Sequence, residues 1–315
     1  MPEPVARSTD PRALDQLAER GKAPNSKSVL DNWVNRAQAT TGIEVGRLSH
    51  LIASTVAVAV LQQAVDESGL PLFLLKGGTY LQYRLPSGSR ATKDVDGLVR
   101  GDLETFLEAL DEVLALDWGV ISLQRTAAET IAVPGKILKP RRFQLKLAIR
   151  GVVWRSIKVE ISPDEAGAGD LSEMLRPVQL KHFGIPTPDQ LFGIAVQYQI
   201  AQKFHACTDP HDPPQYRNER ARDLPDLLLL KDLTETEGAP SLNELRAACE
   251  AVFAARATEA AELGRDARTW PPQVTAYAGW ESDYQAAASE AGIGHSLDDA
   301  VDELNGWIFV IANVG

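Results

Sequence analysis

Apolar positions along the chain follow a helical period first, then switch repeatedly between helix and strand, and finally return to helix. Residues 27 to 68 carry apolar side chains such as Val29, Leu30, Trp33, Val34 and Ala37 at helical spacing. Pro71 to Leu75 is a short apolar run and reads as a buried strand. Gly77 and Gly78 break it, and Thr79 to Leu85 reads as helix. Thr92 to Val99 predicts a second strand. From Asp102 to Leu116 the residues Leu103, Phe106, Leu107, Leu110, Val113 and Leu114 share one face, which predicts an amphipathic helix. Three more strands are expected near Val120 to Gln124, Arg142 to Arg150 and Val152 to Ile161, with Gly151 marking a hairpin between the last two. Thr187-Pro188-Asp189-Gln190 predicts a helix start: Thr187 suits a cap, Pro188 the first helical position, and Gln190 completes a capping box. Beyond it the chain reads as mostly helical, with loops near 208–219, 236–241 and 270–273. The expected division is a loosely ordered 1–26 with a short helix near Pro11 to Arg20, a core over 27–185, and a helical region over 186–315.

Composition narrows this picture only a little. The 315 residues suffice for one large domain or two ordinary ones, and 44% hydrophobic with 24% charged content is that of a globular protein. A net charge of −11 argues against a general nucleic-acid coat, while leaving room for a local basic groove. Cys207 and Cys249 are too few for a disulfide framework, and no charged-then-apolar signal opens the chain, so a cytoplasmic location is expected. The most apolar stretch, Leu48 to Val65, is interrupted by Ser49, His50, Ser54, Thr55, Gln62 and Gln63, and reads as a buried helix, with no membrane association expected.

The chemistry concentrates at Asp94-Val95-Asp96. Residues two apart on a strand point to the same face about 7 Å apart, and two anions at that distance repel by about 2 kcal/mol at an effective dielectric near 20. A divalent cation between them removes that cost. Strands are depleted in Asp, so two on one face call for a reason. Upstream, Lys76-Gly77-Gly78-Thr79 forms a glycine turn feeding a helix, which exposes backbone N–H groups suited to phosphate. It lacks the Gly-Lys-Ser/Thr order of a P-loop. Lys158-Val159-Glu160-Ile161 is consistent with either a polar pair facing the Asp pair, with Glu160 as a third carboxylate, or an exposed polar strand face. Lys136, Lys139, Arg141, Arg142, Lys146, Arg150, Arg155 and Lys158 form a basic stretch free of acids, consistent with either a phosphate track or a solvated hairpin face. Gln199 and Lys203 share a helix face. His205, Cys207 and His211 lack a fourth zinc ligand, and Cys207 suits a core position equally.

Taken in order, these pieces resemble the AbiEii-type nucleotidyltransferases, including the MenT-type mycobacterial toxins, within the DNA polymerase β-like superfamily. The pattern comprises the glycine turn with Asp94-Val95-Asp96, the strand carboxylate Glu160, Gln199-Ile200-Ala201-Gln202-Lys203, and Arg220-Ala221-Arg222-Asp223-Leu224-Pro225-Asp226-Leu227. Gln202 stands where Glu is frequent, Arg222 where Lys is usual, and Pro225 falls inside the last motif. The resemblance implies an α+β fold: a polymerase-β-like core with a mixed sheet, followed by a mainly helical C-terminal region. It implies a toxin of a toxin–antitoxin system that moves NMP from an NTP to an RNA acceptor, the tRNA 3′ end foremost, and so inhibits translation. Asp94, Asp96 and Glu160 are the implied ligands of Mg²⁺ or Mn²⁺, Glu160 alternatively helping to deprotonate an acceptor hydroxyl. Lys76, Gly77, Gly78, Thr79 and Arg222 are the implied nucleotide contacts, Lys203 the charge neutraliser, and Asp223 the orienter of Lys203 or Arg222. Thr92 matches a position of regulatory phosphorylation. NTP, tRNA and a cognate antitoxin are the implied partners, and a monomer is expected. The rival readings are nucleotidylation of a protein acceptor, such as AMPylation, and a degenerate, non-catalytic binding module.

Overall fold

A computed structural model describes residues 10–85, 92–132, 137–211, 213–214 and 216–315. Its strands are β1 (Phe73–Lys76), β2 (Asp94–Val99), β3 (Ile121–Arg125), β4 (Glu129–Thr130), β5 (Arg141–Ile149), β6 (Val152–Pro163), β7 (Ser172–Leu175) and β8 (Leu191–Ile194). They form one mixed sheet in the order β3-β5-β6-β2-β1-β8-β7, with β4 beside β5. The pairs β2/β6 and β1/β8 are parallel and the others antiparallel. The helices are α1 (Lys27–Thr41), α2 (Val45–Leu61), α3 (Gly77–Arg84), α4 (Leu103–Leu114), α5 (Val196–Cys207), α6 (Asp223–Glu237), α7 (Leu242–Glu262), α8 (Trp280–Ala291) and α9 (Leu297–Ala312). The fold is α+β, as expected.

Helices α1, α2 and α4 cover one face of the sheet, and α5 to α9 pack together beyond its other face. The covered face is apolar because strand alternation sends Val95, Val99, Phe143, Leu145, Ile157, Val159 and Ile161 into the core. Gly97 makes a close approach possible there. A Cβ at that position would stand 1.9 Å from the Phe73 ring, which instead lies flat over β2 and stacks on Phe106 of α4 with ring centroids 6.2 Å apart. Every residue of α2 from Leu51 to Leu61 is buried, and the Thr55 hydroxyl reaches the Leu51 carbonyl at 2.7 Å and the Tyr83 hydroxyl at 2.9 Å. Among the described residues, no single helix is long and apolar enough to cross a membrane.

The helical stretch expected over 27–68 holds two helices, parted by Gly42, whose φ of 73° caps α1 in the left-handed region. Three expectations are corrected. Thr187-Pro188-Asp189-Gln190 opens a strand, not a helix. The Thr187 hydroxyl accepts the Leu180 N–H at 2.8 Å, and the apolar Leu191–Ile194 completes the free edge of β1. Gln62, which caps α2, exchanges two side-chain hydrogen bonds with the Phe192 backbone and so extends that pairing. The sheet therefore runs past the boundary expected at residue 186, and the helical region begins with α5. Residues 1–9 lie outside the described residues. Residues 10–26 are anchored rather than loose: Leu14 is buried, the Arg20 N–H donates to the Lys181 carbonyl, and the Arg20 guanidinium lies 4.3 Å from the Trp33 ring centroid.

Candidate active site

The sheet's other face bears the polar half of the alternation. The parallel register sets Asp94 beside Lys158 and Asp96 beside Glu160, and the antiparallel neighbour sets Lys76 beside Asp96. These residues line a cleft of about 650 Å³ between the sheet and the helices α5 and α7. Asp94, Asp96 and Glu160 thus line the same cleft. Burial pushes the Asp96 carboxyl above its ordinary range; the Lys76 ammonium opposes this, and the Glu160 and Asp94 charges add to it.

Gly77 starts α3 with φ of 68°, and a Cβ there would meet Asp96 Oδ2 at 2.8 Å. The missing side chain therefore lets the turn and the carboxylate sit together. The Gly77 N–H donates to Gln199 Oε1 at 3.1 Å, tying the turn to α5. Gly78 lines the cleft. Thr79 does not: it is fully buried, and its hydroxyl donates to the Asp94 carbonyl at 2.6 Å. Thr79 anchors the start of β2 and its hydroxyl is not a phosphate contact. Lys76 lines the cleft and donates to the Ser162 hydroxyl at 2.6 Å.

Lys203 lines the cleft from α5, with its ammonium 2.6 Å from Asp223 Oδ1 and 2.7 Å from Asp226 Oδ2. Burial works against its charge, but the two carboxylates outweigh that and hold its pKa above the ordinary lysine value. Asp223 and Asp226 hold the Lys203 ammonium from one side. The sequence reading named Asp226 in the motif without giving it a role; it lies three residues after Asp223 on one helix, a spacing that puts both on one face. Arg222 is corrected: it is exposed, outside the cleft, and 3.8 Å from Asp283 of α8. Arg220 lines the cleft in its stead, and its N–H is fixed by the Asn218 side chain at 2.9 Å. The Gln199 and Gln202 amide nitrogens are buried with no hydrogen-bond partner among the described residues, although both residues line the cleft.

Glu160 is less simple than a metal ligand. Its Oε1 takes Arg142 at 2.8 Å and Lys158 at 3.2 Å, and Lys158 also reaches Asp94 Oδ2 at 2.6 Å. Among the described residues, no three Asp, Glu, His or Cys side chains gather into a metal-binding group. The cleft nonetheless contains twice as many carboxylates as cations. Asp94 and Asp96 fit a divalent cation by this chemistry, because it offsets the burial of the Asp96 charge and its repulsion by Glu160 and Asp94. The basic stretch divides between faces. Arg141 pairs with Glu104 and Arg155 with Asp31 on the covered side, while Arg142, Lys146 and Lys158 keep to the open side. Lys136 lies outside the described residues. Thr92 is half-buried, with its hydroxyl 3.3 Å from the Asp94 carbonyl. His205 is held between Arg256 and Arg268, and Cys207 is buried.

No curated protein matches the chain. Among solved structures it is similar to MenT4, a nucleotidyltransferase toxin from Mycobacterium tuberculosis H37Rv, at 19% identity and a TM-score of 0.46, over 91% of this chain and 99% of that one. The family model described as nucleotidyl transferase AbiEii toxin, type IV TA system, matches residues 59–304, a span that contains the glycine turn, both aspartates, Lys203 and Asp223. The chain belongs to the AbiEii family of nucleotidyltransferase toxins of type IV toxin–antitoxin systems.

Proposed function

We propose that this nucleotidyltransferase moves NMP from an NTP to the 3′ end of tRNA, using Mg²⁺ or Mn²⁺ held by Asp94 and Asp96, and thereby inhibits translation in the cytoplasm. The observation that carries this reading is the pair of carboxylates on β2 facing a buried, fully charged Lys203 across one cleft. The metal supplies Lewis-acid neutralisation of phosphate charge when bound. The protein supplies the rest. Of the three ammonium hydrogens of Lys203, two go to Asp223 and Asp226, which leaves one for a triphosphate oxygen. Fixed in place before substrate arrives, that donor needs no reorganisation as charge develops. Gly78 at the N-terminal end of α3, Lys76 and Arg220 offer further contacts to the phosphates.

In the transfer, an acceptor hydroxyl oxygen bonds to the α-phosphorus, the bond to the bridging oxygen breaks, and pyrophosphate leaves. Glu160, anchored through Oε1 by Arg142 and Lys158, has Oε2 to receive the acceptor proton. The open strip of Arg142, Lys146 and Lys158 supports an anionic acceptor strand over a cationic one. Thr92 is our proposed site of regulatory phosphorylation: a phosphate there adds a charge of about −2 beside carboxylates that already repel.

The test incubates the purified protein with Mg²⁺, total tRNA and each α-³²P-labelled NTP in turn, with Asp94→Ala as control. Label on tRNA with the wild type alone is expected, and it names the base. Label on protein instead would replace the RNA acceptor by a protein one.

A further inference from the structure

Lys158 is the one cation among the described residues that touches both Asp94 and Glu160. Its backbone is fixed in the parallel ladder directly beside Asp94, so the ammonium cannot leave the neighbourhood. Its four-carbon stem is flexible, however, and the side chain is 30% exposed, as is 35% of Asp94. Arg142 also holds the shared Glu160 oxygen, so Glu160 keeps a partner if Lys158 swings away. An ammonium at 2.6 Å from Asp94 Oδ2 occupies the space in which a divalent cation would have to meet that oxygen.

We propose that Lys158 is a tethered competitor of the divalent cation: it occupies Asp94 until metal displaces it, and so sets how tightly free metal binds. This rests on the assignment of Asp94 and Asp96 as metal ligands. Magnitude decides between a lock and a brake. A partly exposed ion pair is worth at most about 1 kcal/mol, a factor of about five in binding, so Lys158 weakens metal binding without preventing it. Once displaced, the ammonium is free to face an arriving triphosphate. Free metal is then bound weakly and metal with nucleotide more tightly.

The experiment measures Mn²⁺ binding to the full chain by the loss of the free-ion EPR signal, without nucleotide, with circular dichroism confirming that each variant is folded. Lys158→Met is expected to tighten Mn²⁺ binding about fivefold, and Lys158→Arg to stay within about twofold of the wild type. Lys146→Met removes a charge from the same open face at a distance, and is expected to change little. A Lys158→Met variant that binds Mn²⁺ no tighter than the wild type overturns the proposal, as does an equal gain in Lys146→Met. Asp94→Ala separates this from the metal assignment itself: if it binds Mn²⁺ as well as the wild type, the assignment fails and takes the proposal with it.

Discussion

Replacing Asp226 by Asn tests whether Lys203 depends on both of its carboxylates. Asp226 is 1% exposed, and its oxygen lies 2.7 Å from the Lys203 ammonium. At an effective dielectric near 20 this contact carries a gross attraction of about 6 kcal/mol. Desolvation offsets much of it, and removing one partner of a buried pair typically costs about 3–5 kcal/mol. Asp223 remains 2.6 Å away, so the loss should fall at the low end, about 3 kcal/mol. Urea denaturation followed by circular dichroism would then show a midpoint lower by about 1 M at unchanged slope. The pH dependence adds a second readout. The folded pKa of Lys203 is raised, so its contribution is complete below the unfolded value of about 10.5 and is lost as pH rises through the folded value. The gap between wild type and variant should therefore narrow in strong alkali. A variant within about 0.5 kcal/mol of the wild type at pH 7 would refute the reasoning. The triple change Lys203→Met, Asp223→Leu, Asp226→Leu should recover stability while remaining inactive, because a buried ion cluster can be replaced by apolar packing.

Gly77→Ala should cost about 1–2 kcal/mol for its left-handed backbone and reduce nucleotidyl transfer at least about tenfold, by displacing Asp96. Gly101→Ala, with φ of 74° and open space around it, should show the backbone cost in thermal denaturation with activity retained. Arg220→Ala should lower turnover at least about tenfold, whereas Arg222→Ala should leave turnover within twofold and stability within about 0.5 kcal/mol, because its ion pair with Asp283 is exposed. Asp96→Asn should abolish transfer yet raise the melting temperature at pH 7: its folded pKa is raised, so the carboxyl favours the fold only in acid, and the gain should vanish below about pH 4. Thr92→Ala should keep transfer activity and take up no phosphate in cells carrying the antitoxin, which mass spectrometry of the purified chain would read.

Period-2 alternation in β2 and β6 showed which residues of each strand share a face: Asp94 and Asp96 oppose Val95, and Glu160 opposes Val159 and Ile161. That the two polar faces are the same one depends on the pairing of β2 with β6, which parity and the family resemblance together suggested. The register between the strands was legible only in parity, and it is register that puts Lys158 against Asp94. Thr79 misled because a hydroxyl after a glycine turn has the right chemistry for phosphate, and only burial reveals its other partner. Arg220 and Arg222 differ by two residues at a helix start, where a change of backbone direction decides which one meets the cleft. Strand β8 was missed because Thr187, Pro188 and Gln190 carry a sound local helix signal, overridden by a vacant sheet edge four residues on.

The cleft is assembled from segments far apart in the chain. One wall comes from residues 76–96 and 160–165, the other from α5, the turn before α6, and α7. Synthesis delivers these walls in sequence. At about 5–20 residues per second, Lys203 leaves the ribosome roughly 5–20 s after Asp96, and α7 follows later still. A nascent chain therefore carries its carboxylates for many seconds before the wall from α5 and α7 can close over them.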